Sequence, residues 1–313
     1  MTASQPEAAP RTVAITGASG LIGTALTQAL TGRGDQVIHL VRRAPRASLG
    51  DGIREIEWSP VDELDPAALT GVDAVVNLAG AGIGEKRWTE SRRAELVDSR
   101  IDSTTTISRA IAGVEGPKPR LLSGSAVGYY GDRGEELLDE ESAPGDGFLA
   151  DLCVDWEAAT APASEAGADV VHLRTGLALT ADGGALGPLL PLARLGLAGP
   201  LGSGRQFWPW ITLHDYVRAV LHLLDHPDIT GPVNMTGPAP VPQKAVVKAL
   251  GRALHRPALL PAPSLALRVV MGDMAGEMIL AGQRARPVVL EDTGFAWDHP
   301  DVDTAAAWVA DHL

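Results

Sequence analysis

The run Thr12-Val-Ala-Ile-Thr-Gly17-Ala-Ser-Gly20-Leu-Ile-Gly23-Thr-Ala-Leu-Thr-Gln-Ala-Leu30 constrains this chain more than any other stretch, because it reads as a buried strand, a glycine turn and a helix in immediate succession. β-Branched and apolar residues precede the turn, and Leu21, Ile22, Ala25, Leu26, Ala29 and Leu30 recur at helical spacing after it. Gly17 lets the chain turn sharply as it leaves the strand, and Gly20 keeps side chains away from the backbone. Gly23 lets the helix pack closely on the sheet. The N–H groups around Ser19, Gly20, Leu21 and Ile22 then face outward at a helix N-terminus, where the dipole favours an anion such as the diphosphate of a dinucleotide. No Lys-Ser/Thr pair follows Gly23, which disfavours the phosphate loop of nucleotide hydrolases.

Composition bounds what surrounds this cradle. With 313 residues, 45% of them hydrophobic, the chain can bury the core of one large or two medium lobes. Its formal charge of −13 argues against nucleic acid or an anionic membrane as partner, so an anionic cofactor must rely on local basic groups. A small-molecule substrate, and beside it a protein surface, are the partner classes left. The lone cysteine, Cys153, excludes an intramolecular disulfide and a cysteine-built metal site and fits a reducing compartment, so cytoplasm is the expectation. Residues 1–10 have no basic start and no apolar run; they read as a disordered tail rather than a secretory signal. The apolar stretch 185–202 is interrupted by Pro188, Pro191 and Arg194 and is not a membrane span.

Strand-like and helix-like segments alternate from Val13 to about Gly176, which predicts an α/β fold with a doubly wound parallel sheet. The strands read as Val13–Thr16, Val37–Val41, Ala74–Leu78, Arg120–Ser123 and Val170–Arg174, with one more over Val233–Gly237. A helix is expected from Asp215, as its N-cap, to Leu224, and another begins near Thr89. After Gly176 the chain becomes Gly/Pro/Leu-rich through Gly204, and beyond Gly237 it reads as largely helical and punctuated by Pro257, Pro261, Pro263 and Pro287.

Two residues separate Gly17 from Gly20, and this G-x-x-G-x-x-G form resembles the extended short-chain dehydrogenase/reductase superfamily. The resemblance implies a Rossmann-type sheet with substrate-lobe pieces interleaved into it: residues 11–178 plus 209–236 as an NADP-binding domain, 179–208 plus 237–313 as a smaller, mainly helical substrate lobe, and the reaction site between the two. About twenty positions past Gly23, where an NAD-preferring fold carries an acid for the ribose 2′-hydroxyl, stand Arg42 and Arg43. A guanidinium there suits the 2′-phosphate of NADP(H), although an exposed basic strand end would look the same. The segment Asp73-Ala-Val-Val-Asn77-Leu-Ala-Gly80 is similar to the superfamily's strand-four motif, so Leu78, Ala79 and Gly80 are expected beneath the nicotinamide-side ribose. Glu95 and Arg100 are expected to reach ribose and phosphate oxygens of the cofactor; equally, Glu90, Arg93 and Arg100 read as an exposed ion-paired face.

Leu121-Leu-Ser-Gly-Ser125-Ala-Val-Gly-Tyr129-Tyr-Gly131 resembles the superfamily's serine strand, which implies that Ser125 orients the reacting oxygen. The Tyr-x-x-x-Lys pair that should accompany it is absent: aligned through Glu157, the helix Phe148–Glu157 puts Leu149 at the Tyr position and Cys153 at the Lys position. Tyr129 stands as a substitute acid, with stacking as its other reading. Arg205 and Gln206 are expected to make polar substrate contacts, and Trp208 and Trp210 to pack between lobes. His214, His222 and His226 read as surface or cap residues rather than metal ligands. Together with Gly202-Ser-Gly-Arg-Gln206-Phe-Trp-Pro-Trp210 and Leu280-Ala-Gly-Gln-Arg-Ala-Arg-Pro287, these departures identify the chain as similar to an atypical NAD(P)-dependent epimerase/dehydratase branch with a short C-terminal domain, of the kind described as nucleoside-diphosphate-sugar epimerases or cell-division-inhibitor-like. The resemblance implies hydride transfer between NADP(H) and a small hydroxyl or carbonyl compound, or a non-catalytic NADP(H)-binding scaffold.

Overall fold

A computed structural model describes residues 10–313 except Ser48. The expected tail thus lies, apart from Pro10, outside the described residues. Strand β1 (Thr12–Thr16) is buried from Val13 onward on both faces, the condition of a parallel strand covered by helices on either side. Six further strands join it: β2 (Gln36–Val41), β3 (Ile53–Glu57), β4 (Ala74–Asn77), β5 (Arg120–Ala126), β6 (Val170–Thr175) and β7 (Gly231–Met235). All seven run parallel in the order β7-β6-β5-β4-β1-β2-β3, a Rossmann-like α/β sheet. Strand order reverses between β1 and β4, which opens a crevice beyond their carboxyl ends. Strand β3 escapes the sequence reading because it is an edge: Ile53-Arg-Glu-Ile-Glu57 carries charge where inner strands carry Val and Leu.

Helices cover both faces. On one, α1 (Leu21–Gly32) supplies Leu26 and Leu30 to a core with Val13 and Ile15. On the other, α2 (Glu90–Gly113) presses Ile107 and Ile111 against Ala14, Ile38, Val75 and Leu121. Helix α3 (Phe148–Ala158) leads into β6, and α4 (Leu213–Asp225) closes the first face with Val220 and Leu223. The N-cap of α4 is Thr212, whose hydroxyl accepts the Asp215 N–H at 3.0 Å; the expectation of Asp215 as cap is corrected by one turn. Asp215 instead lies buried in the first turn, where it accepts the N–H groups of Asp298 (2.9 Å) and His299 (3.0 Å).

A third core gathers Leu186, Leu190, Trp208 and Trp210 against α5 (Gln243–Ala253) and α7 (Val302–Asp311), with Val246, Leu250 and Val309 innermost. Between these helices lies α6 (Ser264–Met271), of which no residue is buried. Leu290 and Phe295, far along the C-terminal segment, nevertheless sit in the core beside β1 and α4, so this segment also packs against the parallel sheet. Among the described residues no helix is long and apolar enough to cross a membrane.

Candidate nucleotide and reaction site

The glycine turn has the geometry its sequence requires. Gly17 adopts φ +65°, and a Cβ there would stand 2.7 Å from the Leu78 carbonyl oxygen. A Cβ on Gly23 would meet the Ala18 Cα at 2.7 Å, so α1 can lie this close to the turn only without a side chain. Helix α1 begins at Leu21 with Gly20 as N-cap and no side chain capping it. Its first N–H groups therefore have no intrahelical partner, and the exposed Ser19 and Gly20 leave them open to an anion.

The floor of the crevice is locked by buried hydrogen bonds. In register with Asn77, Thr16 donates to its Oδ1 at 2.6 Å and accepts the N–H groups of Leu78 and Ala79, both at 3.0 Å. Asn77 Nδ2 donates to Thr104 on α2 at 2.9 Å, and Trp156 on α3 donates to the same hydroxyl at 2.9 Å. One threonine thus ties the ends of β1 and β4 to two helices. The network fixes Leu78 and Ala79, and with them the start of Gly80, across from Gly17, whose Cβ position lies within 3.2 Å of both.

At the end of β2 the two expected arginines have different fates. Arg43 is clamped by Glu55 of β3 through a bidentate pair at 2.6 and 2.8 Å, and Arg46 joins the same carboxylate at 3.0 Å. The Arg43 hydrogen bonds hold the Glu55 carboxyl down at about 2. Arg42 is exposed and has no hydrogen-bond or ion-pair partner among the described residues. On α2, Thr89 is the N-cap, accepting the Arg92 N–H at 3.2 Å. Glu95 is taken by Arg92 at 2.6 Å. Arg100 is buried under the crevice floor, 3.3 Å from where a Gly80 Cβ would stand and with its guanidinium 5.0 Å from the Trp156 ring centre. Arg93 reaches Asp273 of the C-terminal segment at 2.7 Å. The alternative of an exposed ion-paired face over Glu90, Arg93 and Arg100 is corrected: Arg100 is buried, and Arg93 pairs with Asp273 rather than with its own helix.

Beyond β5 the structure assembles a chain of buried polar groups that the sequence did not reveal. Ser125 donates to Glu157 Oε1 at 2.7 Å, and Arg174 at the end of β6 grips both Glu157 oxygens at 2.8 and 2.9 Å. Burial works to raise the Glu157 pKa, but the Arg174 and Ser125 hydrogen bonds outweigh it and hold the carboxyl below its ordinary range. Arg174 also donates to Tyr130 at 3.0 Å, and Tyr130 donates to Asn234 of β7 at 2.8 Å. Burial pushes the Tyr130 phenol up to about 12, so it stays protonated. Tyr129 lies flat against Arg174, the guanidinium carbon 3.5 Å from its ring centre, and its hydroxyl has no hydrogen-bond partner among the described residues. An arginine at the end of an apolar strand was the one sequence signal for this network.

Leu149 and Cys153 occupy the first turns of α3, apolar and buried respectively. Burial pushes the Cys153 thiol up to about 12, the opposite of a nucleophile's environment. Gln206 donates to the carbonyls of Leu201 and Ile279, both at 3.0 Å, and Arg205 stands exposed 3.5 Å from Glu135. His214, Asp215 and Asp298 bring three donor atoms within 4.8 Å, but Arg218 lies 3.0 Å from Asp215 and 3.2 Å from Asp298. A guanidinium already supplies the positive charge there.

Comparison with known proteins fits this arrangement. Residues 13–235 match the NAD dependent epimerase/dehydratase family, and residues 262–309 match a domain of unknown function, DUF1731. Epimerase family protein Mb2239 of Mycobacterium bovis is 47% identical over 297 residues, which span 95% of this chain and 96% of that protein. Human epimerase family protein SDR39U1 is 36% identical over 296 residues, 94% of this chain and 97% of its own. The crystal structure of human SDR39U1 (isoform2) with NADPH superposes with a TM-score of 0.87 at 33% identity, covering 96% of this chain and 100% of that one. The nucleoside-diphosphate sugar epimerase of Corynebacterium glutamicum gives a TM-score of 0.77 at 35% identity, covering 96% of this chain and 58% of that one.

Proposed function

The chain belongs to the NAD dependent epimerase/dehydratase family, and from that premise we propose that it binds NADP(H) and acts as an oxidoreductase or epimerase on a small hydroxyl- or carbonyl-bearing substrate of the sugar-nucleotide kind. The observation that carries the reading is the uncapped α1 N-terminus, held against the β4 end by two glycines that admit no side chain. The residues fit the cofactor. The backbone N–H groups of Ser19, Leu21 and Ile22 take the diphosphate while that of Gly20 closes the turn onto the Gly17 carbonyl at 2.9 Å, Gly80 leaves room for the ribose, and Arg100 supports that floor from below. Arg42, rather than the clamped Arg43, reads the 2′-phosphate. The NADPH in the human relative supports the phosphorylated form. Bound there, the nicotinamide supplies or receives hydride.

Ser125 orients the substrate oxygen, and its role follows from its neighbours. Arg174 keeps Glu157 ionised, an ionised carboxylate accepts only, and the serine proton must therefore point at Glu157. What Ser125 offers a ligand is a lone pair, suited to accept from a substrate hydroxyl. Tyr129 serves by covering Arg174, and Gln206 by joining the C-terminal segment to residue 201.

Incubating the protein with NADPH or NADP+ and a panel of sugar nucleotides, aldehydes, ketones and alcohols, while following absorbance of the reduced nicotinamide, tests the reading. Turnover abolished by Ser125→Ala supports it. Tight nucleotide binding with no turnover favours a second reading, a nucleotide-dependent scaffold, for which Leu149 and Cys153 at the Tyr and Lys positions speak. Partner capture with and without NADPH then tests that alternative.

A further inference from the structure

We propose that Glu277, brought from the C-terminal segment to the first turn of α3, is the proton-carrying group of the reaction site and takes over the task of the tyrosine replaced by Leu149. The proposal rests on the NADP(H)-dependent reading above. Its basis is a juxtaposition across some 128 residues of chain: Glu277 Oε2 accepts the Leu149 N–H at 2.8 Å. The N-cap of α3, Gly147, has no side chain of its own to offer, and a Cβ there would stand 3.4 Å from the Glu277 carboxylate.

Three further features separate this carboxylate from an ordinary surface acid. It belongs to a six-residue wide-turn helix, Ala275–Leu280, a geometry frequent at functional sites. It lines a cavity of about 70 Å³ with Gly128, Gly131, Asp146, Leu149 and Gln283, directly after the strand that carries Ser125. Such a space holds an ordered water or one polar substituent of a ligand. Trp88, Phe148, Met274 and Met278 form an apolar cluster with Leu149, whose N–H Glu277 accepts. Asp132 and Asp146 are the other charged residues of the cavity wall, and Arg268 Nη1 stands 3.4 Å from where a Gly276 Cβ would be.

The step balances without another reagent. In the reducing direction Glu277 gives its proton to the substrate oxygen as that oxygen takes the C=O π pair, the carbonyl carbon having received hydride from the reduced nicotinamide. The products are an alcohol, the oxidised nucleotide and the Glu277 carboxylate; oxidation runs the same transfers backward.

Capping α3 is the competing role, and the two differ in what Glu277 senses. The full-length protein, labelled with [δ-¹³C]glutamate, is titrated by NMR as its NADP+ and its NADPH complex, with the Glu277 resonance assigned by its loss in Glu277→Gln. The amide of that variant can still accept the Leu149 N–H, so α3 keeps its cap; Glu277→Asp, which also removes the labelled resonance, serves if the first variant fails to fold. A carboxylate facing the nicotinamide feels the positive charge of its oxidised form, and its titration midpoint falls by about half a pH unit or more in NADP+ relative to NADPH. Equal midpoints in the two complexes overturn the proposal and leave Glu277 a helix cap. Failure of both nucleotides to bind overturns the cofactor reading instead.

Discussion

Arg42 and Arg43 are neighbours of the same type at the same strand end, and the structure makes opposite predictions for them. Glu55 holds Arg43 through two hydrogen bonds at 2.6 and 2.8 Å, a bidentate geometry that a phosphate has to displace before it can use the same guanidinium. Arg42 is exposed and has no such partner among the described residues. A charge-assisted hydrogen bond contributes about 1.5–3 kcal/mol, so Arg42→Ala should weaken NADPH binding roughly 10- to 100-fold and leave NADH, which lacks the 2′-phosphate, unaffected. Because the site is open to solvent, screening places the effect toward the lower end at physiological salt. Arg43→Ala leaves Glu55 with Arg46, whose side chain and N–H both reach it, at 3.0 and 2.8 Å. Its effect on NADPH should stay within about threefold, as for a screened charge that does not touch the ligand. Calorimetric titration of both variants with NADPH and NADH checks this. Wild-type protein binding the two nucleotides equally, or Arg43→Ala losing tenfold while Arg42→Ala loses nothing, refutes the reasoning.

Three other outcomes are expected. Gly23→Ala drives a methyl to 2.7 Å from the Ala18 Cα and should cost about 1–3 kcal/mol, seen as a lower thermal midpoint together with weaker nucleotide binding. Thr104→Val strands two buried donors, Asn77 Nδ2 and Trp156 Nε1, and should destabilise by about 2–4 kcal/mol in urea unfolding; a loss below 0.5 kcal/mol would show that neither bond matters. Glu55 has its folded pKa depressed to about 2, so its stabilising contribution is complete above the ordinary carboxylate range and is lost as pH falls through that range toward 2. The stability gap between wild type and Glu55→Gln should accordingly be constant near neutrality and close between about pH 4.5 and 2; a gap unchanged at pH 2 contradicts the ion pair.

Local patterns were legible without coordinates because their causes are local. The alternation of apolar strands and helical periodicity gave the parallel α/β sheet, and the spacing of Gly17, Gly20 and Gly23 gave the strand-turn-helix that opens it. The serine strand and the departures at 149 and 153 pointed to the same family that the comparisons show. Strand β3 was missed because an edge strand needs no apolar run. The cap of α4 was misplaced because Thr212 and Asp215 are equally good cap residues, and only the burial of Asp215 against residues 298 and 299 decides between them.

Charge pairing was not legible, and it governs the candidate site. Nothing in the order of residues says that Glu55 reaches Arg43, that Glu157 lies between Ser125 and Arg174, or that Glu277 arrives at Leu149. The sequence by itself determined the sheet and the glycine turn that opens α1, since hydrophobic period and glycine geometry act over a few residues. Only tertiary structure decided which arginine is open, which serine proton is committed and which acid meets α3, because a hydrogen bond depends on distances that the packing of remote segments sets.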